Sequence, residues 1–77
     1  MYWPFKTTVK FTDGDGREQW LHYAVSADNS LEAREAIERR LFGQEVHGYT
    51  VEDVVAATVG EAAAFDLPPG CVQLLGA

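Results

Sequence analysis

From Phe5 to Thr12 the chain alternates strictly, with Phe5, Thr7, Val9 and Phe11 interleaved by Lys6, Thr8, Lys10 and Thr12. A period of two is incompatible with a helix, so this segment is a strand with an apolar row on one face and a basic, hydroxylated row on the other. Asp13-Gly14-Asp15-Gly16 follows directly. There the glycines permit positive φ and the aspartates can accept from nearby backbone amides, which is the chemistry of a tight turn. A second alternating run begins at once, so the pair reads as a hairpin. In the second strand Leu21, Tyr23, Val25 and Ala27 form the inward row, which leaves Trp20 and His22 on the outer face with Lys6 and Lys10.

A helix comes next. Asn29 can cap the amide of Glu32 while Glu32 reaches back, a capping box, and Ala33, Ala36, Ile37, Arg40 and Leu41 recur at helical spacing to form a stripe that packs on the sheet. On the solvent side, Arg34 with Glu38 and Glu35 with Arg39 are i,i+4 pairs, each worth about 0.2–0.5 kcal/mol. Gly43 stops the helix just after Phe42.

The segment from Tyr49 to Phe65 has two readings. Tyr49, Val51, Asp53, Val55, Ala57 and Val59 fit a strand rich in β-branched residues, whereas Thr50 followed by Asp53 fits the cap of one helix running toward Phe65. The strand is favoured because Val51, Val54, Val55, Thr58 and Val59 together form helix poorly, and Thr58 with Glu61 then caps a short Ala-rich helix to Phe65. Leu67-Pro68-Pro69-Gly70 ends that helix, leaving Cys71 to Leu75 for a last short strand, at an edge or beside the first strand. The order is β-β-α-β-α-β. Residues 1–77 are expected to form a single α+β domain, an antiparallel sheet with one main helix on one face.

Composition bounds the function classes. With 77 residues, roughly 60% of the unfolded chain's surface is buried, which leaves little apolar material for a deep reaction chamber. A hydrophobic share of 47% nevertheless exceeds that of a disordered acidic chain, so the negative charge decorates a core. That charge is lopsided. No Lys or Arg follows Arg40, and Glu45, Glu52, Asp53, Glu61 and Asp66 stand beyond it unopposed in sequence, carrying most of the net −6. The lone Cys71 excludes an internal disulfide and fits a reducing compartment; with no basic leader or long apolar run, a cytoplasmic protein with no membrane contact is expected.

Each chemical motif has a plainer rival. Aligning Asp15-Gly16 with the middle of a calcium loop puts Phe11 at the first ligand position and His22 at the last, so a turn is preferred. His22, His47 and Cys71 are widely spaced singles without the short ligand pairs of zinc sites, and Cys71 reads as a small core residue. Glu52 and Asp53, adjacent on a strand, point to opposite faces and cannot flank one substrate atom. Gly14 and Gly16 lack the context of a phosphate loop. No catalytic residue, cofactor or metal is therefore expected. Lys6, Lys10, Arg17, Trp20 and His22 could form a nucleic-acid surface, but the net charge of −6 repels phosphates at a distance, so direct nucleic-acid binding is disfavoured.

A basic protein surface is the better-matched partner. Glu45, Glu52, Asp53, Glu61 and Asp66 would supply the attracting field, while Tyr2 and Trp3 would supply contact area. In its size, its acidity and its β-hairpin followed by the helix Asn29-Ser30-Leu31-Glu32-Ala33-Arg34-Glu35-Ala36, the whole chain resembles small phage and mobile-element accessory proteins, among them several anti-CRISPR proteins. That resemblance implies a stoichiometric inhibitor of a CRISPR effector complex or its nuclease, a DNA mimic that blocks target access or nuclease recruitment. It assigns no role to any numbered residue. The alternative is a structural module or small subunit that pairs through a sheet edge, including with a second copy.

Overall fold

The structure, a computed structural model, describes residues 1–43 and 48–76. Its elements are β1 (Trp3–Thr12), β2 (Glu18–Ala27), α1 (Ser30–Gly43), β3 (Thr50–Ala56), α2 (Val59–Phe65) and β4 (Val72–Gly76). The expected β-β-α-β-α-β order holds, and between the two readings of residues 49–65 the strand followed by a short helix is the one found. All four strands join one antiparallel sheet in the order β3-β1-β2-β4. The last strand therefore lies at an edge against β2, and β3 takes the place beside β1.

The hairpin is built as the alternation requires. Lys10 faces Trp20, Thr8 faces His22 and Phe5 faces Val25 across β1 and β2. Asp13 organises the turn, accepting at one carboxylate oxygen from the amides of Asp15 (2.9 Å) and Arg17 (3.0 Å). Its other oxygen accepts from the Gln19 side chain at 3.2 Å, and Gly16 supplies the positive φ of 81°. These hydrogen bonds, led by that from the Arg17 amide, hold the Asp13 carboxyl below its ordinary range. Both carboxylate oxygens are thus engaged by the turn itself.

Helix α1 covers the inner face. Val9, Tyr23, Val25, Ala27 and Val51 from the sheet meet Ala33, Ile37 and Leu41 from the helix in one core, and burying each large side chain contributes about 1.5–3 kcal/mol. Thr7, inside the apolar row, is buried with its hydroxyl donating to the Tyr23 carbonyl at 3.4 Å. Arg40, expected in the packed stripe, is exposed, because the helix turns only Ala33, Ile37 and Leu41 fully inward. The N-terminal cap also departs from the expected box. Asn29 accepts from the Glu32 amide at 2.9 Å, but Glu32 reaches one residue further back, to the Asp28 amide at 3.4 Å. Of the two i,i+4 pairs, Arg34 and Glu38 come within 4.0 Å, while Glu35 and Arg39 form none among the described residues.

Helix α2 starts with a complete capping box. Thr58 accepts from the Glu61 amide at 3.2 Å and Glu61 accepts from the Thr58 amide at 3.0 Å. It buries no residue of its own. A short helix that fully buries none of its residues gains little from packing, and Lys6 on the outer face of β1 ties it down through Glu61, N to O 2.7 Å.

Candidate partner-binding surface

The outer face of the sheet carries the basic row expected from the sequence, but its charges are internally matched. Lys6 is paired with Glu61, and Lys10 with Glu18 at 3.2 Å. Thr8 Oγ1 and His22 Nδ1 lie 3.2 Å apart at the centre of this face, and Trp20 stands at its end, 44% exposed. A depression of about 360 Å³ opens here, bordered by Lys6, Thr8, His22, Asp53, Val55 and Leu75. Each lysine thus faces a carboxylate of the same chain, which offsets part of its charge on this face.

The acidic candidates separate into distinct roles. Glu61 belongs to the fold. Its hydrogen bond from Lys6, followed by that from the Thr58 amide, lowers its pKa from 4.5 to about 2. Asp66 terminates α2 in the left-handed conformation, φ 46°, with its N–H donating to the Ala62 carbonyl at 3.2 Å and its side chain exposed. Glu45 lies outside the described residues, as does His47.

Glu52 and Asp53 sit together on β3, both exposed. The pairing of β3 with β1 slips between Thr8 and Val9: Thr8 faces Asp53 while Val9 faces Val51, so Glu52 is an extra residue in a bulge. Strict alternation, which would send the two carboxylates to opposite faces, is interrupted at this point. Neither makes an ion pair or side-chain hydrogen bond among the described residues.

Strand β3 is an edge. The Ala57 amide donates to the Pro4 carbonyl at 3.0 Å, so by antiparallel alternation the N–H and C=O of Val54 and Ala56 face away from β1. The edge is partly guarded at its start, where Arg34 of α1 donates through Nη2 to the Val51 carbonyl at 3.0 Å. Beside it a groove of about 300 Å³ runs between helix and strand, lined by Ser30, Leu31, Arg34 and Val54. Leu31 is 64% exposed there.

The two aromatic candidates also differ. Trp3 is half-buried and donates through Nε1 to the Ala57 carbonyl at 2.8 Å, so it closes the end of the sheet where β3 leads into α2. Tyr2 is half-exposed against α1, beside Glu35 and Arg39. Glu52 and Asp53 are thus exposed beside the β3 bulge, Glu61 and Trp3 make contacts within the fold, and Tyr2 lies on the helix side.

Cys71 is exposed, which corrects the core assignment made from its residue type. It precedes β4 and its carbonyl accepts from the Ser26 amide at 3.0 Å. His22 lies four residues before Ser26 on β2, about 13 Å away at 3.3 Å per residue, so the two do not form a nucleophile and base. Among the described residues no three His, Cys, Asp or Glu side chains converge as metal ligands. No helix is long and apolar enough to cross a membrane. Comparison with family models, with characterised proteins and with solved structures finds no match to this chain.

The residues that sequence reasoning did not single out are Leu31, Val54 and Ala56. Leu31, an apolar residue one position from the helix start and off the Ala33, Ile37, Leu41 stripe, was the available signal. The sequence offers an edge place to the last strand but does not mark β3 as the other edge.

Proposed function

We propose that this chain is a non-enzymatic protein-binding domain, a small acidic inhibitor that docks on the Lys/Arg-lined surface of a larger nucleic-acid-handling protein or complex. The observation that carries this reading is the position of Glu52 and Asp53: adjacent, exposed, unmatched by any cation among the described residues, and on a bulged edge strand. The outer-face lysines, by contrast, are matched. Carboxylates without internal partners are the ones that still project a field, and a field steers encounter with a basic groove normally occupied by phosphates. The resemblance to anti-CRISPR proteins makes a CRISPR effector the sharpest form of the partner, held in the cytoplasm of a bacterial host.

The test is binding of the full chain to a panel of purified CRISPR effector complexes at low and high salt, with and without target DNA. The expected result is salt-sensitive binding to one complex, exclusive with DNA and abolished by Glu52→Lys with Asp53→Lys. Binding that survives the double charge reversal, or that proceeds on a DNA-loaded complex, rejects the reading. A second reading, a module that pairs with its own kind, is favoured by one feature: Leu74 on the β4 edge is 51% exposed where α1 does not cover the sheet. A defined dimer by light scattering, lost on Leu74→Lys, supports it instead.

A further inference from the structure

Resting on the reading of Glu52 and Asp53 as partner-facing, the geometry points to how the partner is held: we infer that an extended segment of it adds as a strand to the β3 edge between Asp53 and Ala56. Three observations converge on this stretch. The backbone groups of Val54 and Ala56 face away from β1, and none of them is used by a side chain among the described residues. Arg34 covers the Val51 carbonyl and so marks where the open stretch begins. The groove of about 300 Å³ with Leu31 and Val54 runs alongside, on the helix side of the same edge.

These features dictate the chemistry of the incoming strand. Its residue opposite Val54 directs a side chain to the helix side, over Leu31, and is apolar. Its neighbours, opposite Asp53 and Val55, project to the outer face, and the one at Asp53 is Lys or Arg. The partner segment is therefore an extended run alternating basic and aliphatic residues. Main-chain hydrogen bonds at Val54 and Ala56 supply affinity, and the acidic bulge supplies selection by charge.

Charge also decides against a second copy as occupant. Antiparallel self-pairing centred on Val54 places the two Asp53 side chains on one face as diagonal neighbours, roughly 7–8 Å apart, with no cation between them, and each chain brings a net charge of −6. The β4 edge offers Val72 and Leu74 but no charge to recognise a partner.

The experiment uses the full chain and a capped heptapeptide of alternating lysine and valine. Its controls are the same peptide N-methylated at alternate residues and a glutamate-valine version, followed through the amide resonances of Val54 and Ala56. In the chain, Ala56→Pro removes an outward N–H from an exposed edge position, where proline is tolerated. The expected result is protection of both amides by the lysine-valine peptide, with binding weakened about tenfold by N-methylation and similarly by Ala56→Pro. Equal binding of the N-methylated peptide, or full binding by a folded Ala56→Pro chain, overturns strand addition. If Glu52→Lys with Asp53→Lys still abolishes that binding, docking by charge alone survives. If the charge reversal changes nothing either, both readings fail. A wild-type dimer that Ala56→Pro converts to monomer assigns the edge to a second copy and overturns the basic partner.

Discussion

Lys6 Nζ donates to Glu61 Oε2 at 2.7 Å, joining the outer face of β1 to the first turn of α2 across 55 positions of sequence. The same Glu61 carboxylate accepts from the Thr58 amide, so one side chain both caps the helix and fastens it to the sheet.

That arrangement makes acid stability depend on Glu61. Its pKa is 4.5 ordinarily and about 2 here, so the carboxylate's contribution is complete above pH 4.5 and is lost as pH falls toward 2. Glu61→Gln keeps an oxygen for the Thr58 amide but not the charge. Urea midpoints of this variant should lie below wild type at pH 7 and converge with it near pH 2; a gap that stays constant with pH shows the linkage to be absent.

Thr58→Ala removes the other half of the box and should destabilise by about 1 kcal/mol, as cap losses do. Because α2 buries no residue of its own, the loss should appear first as faster amide exchange in residues 59–65, with the sheet unaffected. Uniform acceleration across the sheet argues that α2 and the sheet unfold as one unit.

Ile37 is the largest of the fully buried side chains and sits between α1 and the sheet. Ile37→Ala should lower stability by about 2–5 kcal/mol through lost burial and a residual cavity. In a domain of this size that is enough to leave a substantial unfolded population at 37 °C, measurable by thermal melting. A loss under 1 kcal/mol shows that the helix resettles on the sheet.

Trp3→Phe deletes the Nε1 donor to the Ala57 carbonyl and should cost about 0.5–1.5 kcal/mol. Partner affinity should be unchanged, since this tryptophan is committed to closing the fold. A large loss of binding in a stably folded variant reinstates Trp3 as a contact residue.

Exposure of Cys71 predicts that a thiol reagent modifies it in the native protein within a few-fold of its rate in denaturant. Protection by orders of magnitude places the thiol inside.

Periodicity alone was enough for the local elements. The alternation from Phe5 to Thr12, the Asp13 to Gly16 turn, the Asn29 cap and the Thr58 and Glu61 box are all satisfied within a few residues of themselves, so their hydrogen bonds and inward faces follow from the order of side chains. The α+β class follows from the same patterns. The candidate surface depended on contacts between distant segments. Whether Glu61 is a free charge or half of an ion pair depends on β1 reaching α2; where the alternation of β3 is interrupted depends on a one-residue slip against Thr8. Likewise Cys71 is exposed just before the edge strand β4, and Val54 and Ala56 have backbone groups without a partner among the described residues because β3 took the other edge. Local pattern determines what each segment is; strand order, set by which faces α1 can cover at once, decides which of its groups remain for a partner.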